Sequence, residues 1–156
     1  MAASDIRSET LKFRPIKIGD IPVLAHAEQE LFKDPWTPGM LLGALEDVTG
    51  RHEILYAGDN VLGYYFLALM DDEAELHNIA VLSPYQNKGL GTYILEKIVN
   101  QCDAEGVQRL YLEVRNDNAA AIHLYEKMGF EYIGRRPGYY FVEKRDALIY
   151  MRTKHE

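Results

Sequence analysis

Hydrophobic and polar positions in the first third of the chain predict a short strand followed by two helices. The segment at 11–16 is typical of a short strand. Asp20 is a candidate N-cap for a helix that carries Pro22 in its first turn. The apolar stripe of that helix repeats at helical spacing and consists of Ile21, Leu24, Ala25, Leu31 and Phe32. A proline-punctuated loop at 33–38 then leads to a second helical pattern at 39–47.

The pattern changes to that of strands in the middle of the chain. Segments 54–57 and 61–70 flank the turn Gly58-Asp59-Asn60, whose residue types accept positive φ, and they predict a β-hairpin. A second turn at 71–73 leads into another strand pattern at 74–81. These segments therefore predict three consecutive antiparallel strands.

The second half of the chain alternates between helical and strand patterns. One helical segment is 92–102, which Gly106 ends, and the other is 119–128, which Gly129 closes. The residues at 116–118 supply caps for the second of these helices. The strand segments are 109–114, 130–134 and 146–152. Together with the opening strand and helices, this order predicts an α/β fold with a mixed sheet.

The length of 156 residues suits one compact domain. Residues 1–10 are polar and aperiodic, so we expect a flexible lead-in followed by a single domain at 11–156. Cys102 is the only cysteine, which excludes an internal disulfide and fits a reducing compartment, so we expect a cytoplasmic protein. No segment approaches the roughly 18 apolar residues that a membrane span needs.

The formal net charge of −7 at pH 7 narrows the partners that the chain is expected to bind. Nucleic-acid binding depends on Lys and Arg side chains that neutralise phosphates, so we expect no direct nucleic-acid binding. A negatively charged protein instead favours the approach of a basic partner.

Several familiar metal-binding and catalytic patterns do not occur in the sequence. His26, His52 and His77 lack metal-ligand spacing, so we expect no metal. There is no Gly-x-Ser-x-Gly motif, and Cys102 lies on an amphipathic helical segment without a neighbouring base, so we expect no covalent nucleophile. His123 lies outside the apolar stripe of its helix, which indicates an exposed residue rather than a catalyst.

The segment at 84–91 lies between a predicted strand and a predicted helix, where free backbone N–H groups and the helix dipole favour an anion. Gly89 and Gly91 would let a phosphate approach the backbone closely, and Lys88 would add a positive charge. The alternative is that these glycines only form a tight turn. The segment matches neither the Walker pattern nor Gly-x-Gly-x-x-Gly, so it supports neither a nucleotide triphosphatase nor a Rossmann dehydrogenase.

Two polar side chains occupy apolar patterns. Alternation along 109–114 places Glu113 on the face opposite Leu110, Leu112 and Val114. A carboxylate within such a strand is either paired, with Arg115 or Arg109 as candidates, exposed near the strand end, or a general base. Tyr125 shares a helical stripe with Ala121, Ile122 and Met128, and most such tyrosines only pack against neighbours.

Several of these segments resemble the GNAT N-acetyltransferases, and among them the RimI-type ribosomal-protein-alanine N-acetyltransferases. The general matches are Asn78-Ile79-Ala80-Val81, the loop at 86–91, Leu112-Glu113-Val114-Arg115, the run at 118–122, Leu124-Tyr125-Glu126 and Gly129-Phe130. The RimI-like matches are Phe32-x-x-Pro35-Trp36-Thr37 and Arg135-Arg136-x-x-Tyr139-Tyr140. The resemblance covers most of the chain and implies the GNAT fold, a mixed central sheet flanked by helices.

The resemblance also implies acetyl-CoA as the acetyl donor and assigns residues to it. The residues implied to bind this cofactor are Ile79, Ala80, Val81, Gln86, Asn87, Lys88, Gly89, Leu90, Gly91, Thr92, Asn118 and Tyr125. It makes Glu113 the general base and Tyr125 the general acid, and it gives Trp36, Tyr139 and Tyr140 to the acceptor.

The implied activity is acetylation of the N-terminal amine, with alanine as the expected first residue, of a protein such as a basic ribosomal protein. We expect a monomer or weak dimer without membrane association. One alternative is acetylation of a lysine side chain or a small-molecule amine, since one fold serves many acceptors. An alternative of another class is a non-catalytic acyl-CoA-binding regulator.

Overall fold

The computed structural model describes residues 10–139 and 145–154, which form a seven-stranded sheet with helices on both faces. The strands are β1 Lys12–Pro15, β2 Glu53–Ala57, β3 Asn60–Met70, β4 Glu73–Val81, β5 Arg109–Arg115, β6 Glu131–Arg136 and β7 Ala147–Thr153. The α-helices are α1 Ile21–Leu31, α2 Pro38–Glu46, α3 Leu90–Ala104 and α4 Ala119–Lys127. Short 3-10 helices span Ile18–Asp20 and Ser83–Tyr85.

The sheet is mixed, as the sequence predicts. Its strand order is β1-β2-β3-β4-β5-β7-β6. The pairing of β4 with β5 is parallel and the other five pairings are antiparallel. A parallel pair needs a crossover connection, and α3 provides it between β4 and β5.

Each face of the sheet carries its own hydrophobic cluster. On one face, Ile94 and Leu95 of α3 pack with Leu110 and Leu112 of β5, in a cluster that also contains Tyr125 of α4. The smaller cluster on the other face consists of Ile16, Leu24, Ala27, Leu41, Ile54, Tyr64, Phe66 and Ala80. Since full burial of a large aliphatic side chain contributes about 1.5–3 kcal/mol, these clusters dominate the stability of the fold.

The parallel ladder between β4 and β5 is short, and the two strands part beyond it. The ladder runs from Glu73 opposite Arg109 to Leu76 opposite Leu112. At its end, the register of β4 with β3 shifts so that His77 is an extra residue in β4, which is a β-bulge. A bulge bends its strand, and β5 meanwhile continues along β7. The divergence leaves a cleft between β4 and β5.

Gly63 allows α3 to lie close to the sheet beside this cleft. A Cβ atom at Gly63 would lie 2.5 Å from the carbonyl oxygen of Ala80 and 2.8 Å from Cδ1 of Ile94. Any side chain would therefore separate β3 from β4 or push α3 outward. The absence of a side chain at this position fixes the distance between α3 and the end of β4.

The structure corrects some local predictions. Asp20 does not cap α1 with its side chain, because its carboxylate accepts hydrogen bonds from Arg14 and from the backbone N–H of Lys17. Helix α3 begins at Leu90, two residues before the predicted start, and β1 is shorter than predicted at both ends. Residues 1–9 of the predicted lead-in lie outside the described residues, and a single domain at 11–156 stays a prediction.

Every helix in the described ranges is too short or too polar to cross a bilayer.

Candidate active site

The cleft between β4 and β5 opens into a cavity of about 490 Å³. Its walls are formed by β4 and β5, where they diverge, and by parts of α1, α3 and α4. One part is lined by α1 and the loop that follows it, including Glu28, Phe32 and Trp36. The other part is lined by the end of β4, the start of α3 and the face of α4. The cavity thus joins Trp36, which the resemblance gives to the acceptor, with the segments that it gives to the cofactor.

The loop before α3 has a backbone suited to binding an anion. Asn87 and Gly89 both adopt positive φ, 62° and 81°, and Gly89 is the N-cap of α3. A glycine cap has no side chain to accept from the first N–H groups of the helix, so these donors are available to a ligand. Gln86 ties the loop to β4, because its Nε2 donates to the carbonyl oxygen of Val81 at 2.9 Å.

Most of the residues assigned to the cofactor meet at the cavity. Those that line it are Ile79, Ala80, Val81, Gln86, Asn87, Gly89, Leu90, Gly91, Asn118 and Tyr125. Lys88 and Thr92 belong to the same segment of the described chain but are not part of the lining. Asn118 also has a structural role, since its Oδ1 accepts from the N–H of Ala121 at 3.2 Å and caps α4. Their contacts with acetyl-CoA stay a prediction.

Glu113 lies on β5 just beyond the point where the parallel ladder ends. Its side chain is 27% exposed, so it is less buried than the strand pattern indicates. The carboxylate is paired, but the expected partners were wrong, because Oε1 lies 2.9 Å from Nη2 of Arg136 on β6. Arg109 instead pairs with Glu73 on the same face of the sheet. Glu113 therefore faces the cavity as an ion-paired carboxylate.

Tyr125 is buried and lines the same cavity from α4. Its ring packs against that of Phe130, with the ring centroids 5.8 Å apart. The inward direction predicted from its helical spacing is confirmed. Its role as a general acid stays a prediction, as does that of Glu113 as a general base.

Tyr139 is not part of the cavity wall, but it contacts Arg136, which pairs with Glu113. The guanidinium carbon of Arg136 lies 5.3 Å from the centroid of the Tyr139 ring, within the range of a cation–π contact. Tyr139 is 46% exposed. Trp36, in contrast, lines the cavity directly. The third residue assigned to the acceptor, Tyr140, lies outside the described residues.

Glu28 is a cavity residue that the sequence analysis missed. It is 1% exposed, and its carboxylate accepts from the backbone N–H of Trp36 at 2.8 Å, from Nδ2 of Asn78 at 3.0 Å and from the hydroxyl of Tyr64. Burial, together with the charge of Glu28, raises the pKa of Tyr64 above its ordinary value, so the phenol stays a neutral donor. The available signal was a carboxylate at a position four residues after Leu24, on the apolar stripe of α1.

Ion pairs connect the loop after α1 with the ends of β5 and β7. Nη1 of Arg115 lies 2.8 Å from Oδ2 of Asp34, and its Nε lies 3.1 Å from Oδ1 of Asp117. Asp117 also lies 3.4 Å from Arg145, just before β7. The hydrogen bond from Arg115 lowers the pKa of Asp117 below its ordinary value, which keeps that carboxylate ionised. Arg115 is thus a junction between the segments around the cavity mouth.

The comparisons with known proteins identify the family of this chain. Residues 18–130 match the model of the acetyltransferase (GNAT) family. The chain belongs to the GNAT acetyltransferase family. The match spans α1 to α4 and includes both the loop before α3 and β5, so it covers all the residues that line the cavity.

Within the GNAT family, the chain is similar to enzymes described as ribosomal-protein-alanine N-acetyltransferases. The chain is 36% identical over 132 residues to the [ribosomal protein bS18]-alanine N-acetyltransferase of Escherichia coli K12, covering 83% of this chain and 88% of the relative. It is 32% identical over 144 residues to a putative enzyme of the same description from Bacillus subtilis, covering 92% of this chain and 95% of the relative. The crystal structure of the E. coli ribosomal-protein-S18-alanine N-acetyltransferase superposes with a TM-score of 0.86 at 32% identity, covering 92% of this chain and 94% of that one.

These findings confirm the resemblance to the RimI-type GNAT enzymes and the fold that it implied. The chain is accordingly an N-acetyltransferase of a family that takes its acetyl group from acetyl-CoA.

Proposed function

We propose that this GNAT enzyme transfers the acetyl group of acetyl-CoA to the N-terminal amine of a protein that begins with alanine, with a ribosomal protein as the acceptor. The observation that carries the proposal is the 36% identity to the E. coli [ribosomal protein bS18]-alanine N-acetyltransferase over nearly the full length of both chains. The net charge of −7 supports it, because ribosomal proteins are generally basic. A ribosomal acceptor also fits a cytoplasmic enzyme.

The cleft supports a defined arrangement of the cofactor. The first turn of α3, with its uncapped N–H groups, suits the pyrophosphate of acetyl-CoA. The edge of β4 from Ile79 to Val81, which the parallel ladder with β5 does not reach, suits backbone hydrogen bonds to the pantetheine arm. Asn118 and Tyr125 lie in the same cavity wall and would contact that arm. The acetyl group would then point towards β5 and Glu113.

The proposal assigns each proton transfer of the reaction to a residue of the cavity. An N-terminal amine has a pKa near 8, so much of it is ammonium at neutral pH and must lose a proton before it attacks. Glu113 would accept that proton, directly or through a water molecule. The amine nitrogen then bonds to the thioester carbonyl carbon, and a backbone N–H near Val81 would stabilise the oxyanion. When the C–S bond breaks, Tyr125 would give its proton to the departing thiolate, and the second proton that the amide nitrogen loses would restore the Tyr125 hydroxyl, directly or through a water molecule.

The chemistry of the base favours an N-terminal amine over lysine. The pKa of an α-amine lies more than two units below that of a lysine side chain, so its deprotonation requires less free energy. A lysine or small-molecule acceptor nevertheless remains an alternative outcome of the test. The non-catalytic alternative is tested at the same time, because a regulator would give no turnover with any acceptor.

A peptide series tests the acceptor. The peptides share residues from the second position onward and one internal lysine, and they begin with Ala, Ser, Leu or a blocked residue. Mass spectrometry locates the acetyl group, and we expect the free alanine peptide to be modified fastest at its terminus. Acetylation of the blocked peptide at lysine at the same rate would contradict the proposal and support the lysine alternative.

A further inference from the structure

Glu28 has no role in the proton transfers proposed above, although it lines the same cavity. Among the residues that the structure describes, it is the only charged residue in the buried class. An ionised carboxylate in the interior is unfavourable unless several donors compensate it. Its burial beside a cavity therefore calls for a function that an apolar residue could not perform.

The carboxylate of Glu28 links three separate elements. Oε1 accepts from the backbone N–H of Trp36, in the loop between α1 and α2. Oε2 accepts from Nδ2 of Asn78 on β4 and from the hydroxyl of Tyr64 on β3. A carboxylate can only accept hydrogen bonds, and all three partners are donors, so the arrangement is complementary. Asn78 directly precedes Ile79, the first residue of the strand edge assigned to the pantetheine.

Trp36 is held by one contact from α1 and by one from the sheet. Its backbone is held by Glu28, and its indole ring packs against Phe66 with the ring centroids 5.1 Å apart. The next residue, Thr37, caps α2 by accepting from the N–H of Met40 at 3.2 Å. The hydrogen bond that the Trp36 N–H donates to Glu28 therefore fixes the end of this loop, next to the start of α2, beside the cavity.

We propose that Glu28 is a positioning residue for the acceptor: it holds the Trp36 loop and Asn78 at a fixed separation, and so forms the wall against which the first residues of the acceptor bind. This proposal rests on the proposed function, because it takes Trp36 as part of the acceptor site. It predicts that Glu28 acts on acceptor binding. The strand edge proposed for the cofactor should keep its position without Glu28, because Ile79 to Val81 remain paired with β3.

Three substitutions separate this role from a merely structural one. Glu28→Gln keeps the shape of the side chain and can keep the bond to Trp36, because the amide oxygen of the glutamine can face the Trp36 N–H. The NH₂ group of the glutamine can then donate to the hydroxyl of Tyr64 and, once the side-chain amide of Asn78 is flipped, to the Asn78 oxygen. Glu28→Met keeps the volume but accepts from none of them. Tyr64→Phe is the matched control, because it removes one hydrogen bond to the same carboxylate and leaves the bond to Trp36 in place.

Trp36 itself provides a readout that needs no acceptor. It is the only tryptophan in the chain, so its emission maximum and its quenching by acrylamide report the position of this loop. In Glu28→Met we expect a red-shifted emission and stronger quenching, whereas Glu28→Gln and Tyr64→Phe should match the wild type. Circular dichroism confirms that each variant is folded, and if Glu28→Met is not, Glu28→Asp replaces it, because the shorter side chain withdraws the carboxylate from Trp36.

Kinetics with the best peptide of the acceptor series complete the experiment. We expect Glu28→Met to raise the acceptor KM by roughly tenfold, which corresponds to about 1.4 kcal/mol of lost acceptor binding, with the Kd for acetyl-CoA unchanged. Glu28→Gln should restore the KM, and Tyr64→Phe should leave it unchanged. An unaltered Trp36 signal or an unaltered KM in the folded disruptive variant would overturn the inference. If the wild-type enzyme does not acetylate N-terminal amines, that result would contradict only the proposed function, because the fluorescence test needs no acceptor.

Discussion

The carboxylate of Glu113 and the guanidinium of Arg136 form an ion pair that crosses over an intervening strand. Glu113 on β5 pairs in register with Ile149 of β7, which pairs on its other side with Gly134 of β6. Arg136 lies two residues beyond Gly134 and reaches back across β7 to Oε1 of Glu113 at 2.9 Å. The proposed general base is thus oriented by the strand that leads to Tyr139, on the acceptor side.

If Glu113 and Tyr125 transfer protons, substitutions that preserve their shape will remove activity without removing the fold. We expect Glu113→Gln and Tyr125→Phe each to lower single-turnover acetyl transfer by roughly 10²-fold or more, the usual scale for general acid–base catalysis. Glu131→Gln, on the exposed side of β6, is the control and should retain wild-type rates. Near-normal single-turnover rates in either variant would show that its assigned role is wrong.

Gly91 and Gly39 offer a matched test of the anion site. Each is the second residue of its helix, Gly91 in α3 and Gly39 in α2, but only Gly91 lines the cavity. A Cβ at Gly91 would lie 3.6 Å from Leu124 Cδ2, an ordinary contact, so Gly91→Val should fold. We expect calorimetry to show at least a tenfold weaker affinity for acetyl-CoA, because the valine side chain would block close approach of the pyrophosphate. A tenfold loss of affinity corresponds to about 1.4 kcal/mol. Gly39→Val should bind normally, and equal affinities in the two variants would contradict the assignment.

The ion pair between Asp34 and Arg115 should stabilise the loop after α1 more than a surface pair would. Their side chains are only 22% and 14% exposed, respectively, and Nη1 and Oδ2 are 2.8 Å apart. A double-mutant cycle with Asp34→Asn and Arg115→Met should give a coupling energy of about 1–2 kcal/mol in urea unfolding. The pair of Asp72 and Arg109, which is more exposed and 3.6 Å apart, is the comparison and should couple more weakly. Equal coupling in the two pairs would refute the distinction.

His52 makes the stability of the fold depend on pH. The N–H of Leu67 donates to its Nδ1, so Nε2 carries the proton and donates to the carbonyl oxygen of Ala44. Burial lowers the pKa of His52 below its ordinary value of 6.5, so the folded state stays neutral where the unfolded chain takes up a proton. The contribution of His52 is therefore fully present above pH 6.5 and declines as the pH falls below it.

Urea unfolding between pH 8 and about 5 measures this dependence, since its slope reports the difference in bound protons between the two states. His52→Phe should be less stable at pH 8 but show a flatter decline than the wild type. His26→Gln, at a side chain that is 76% exposed, is the control and should keep the wild-type slope. A slope that His52→Phe leaves unchanged would contradict the assignment of the neutral tautomer.

The positions of strands and helices were predictable because the spacing of apolar residues depends mainly on local geometry. The bounds of β4 and α4 were predicted to within one residue. The insertion of β7 between β5 and β6 was not predictable in this way, because strand order depends on pairing between segments distant in sequence. The wrong partners for Glu113 have the same origin, since Arg136 reaches it only through that order.

The residues of the site also divide into those that a local sequence pattern predicts and those that depend on distant segments. The glycines at the start of α3, and Glu113 and Tyr125, stand out because they depart from a local pattern. Glu28 departs from one too, but its meaning depends on three donors from other elements, the farthest of them 50 residues away in sequence. Asp20 failed as a helix cap for a more local reason, because Arg14 and the backbone N–H of Lys17 bind its carboxylate instead.

The cleft arises where two strands of one sheet part, and not from loops laid over a finished surface. The half of the cleft that we propose for the cofactor is therefore fixed by the packing of the sheet itself, including the absence of a side chain at Gly63. The half that we propose for the acceptor depends on short segments at the ends of α1 and β6, held by a few hydrogen bonds and ion pairs. Substitutions in those segments can alter the preferred acceptor without changing the acetyl-transfer chemistry. Proteins that descend from one ancestor with this cleft can therefore evolve different acceptors while they retain the same reaction.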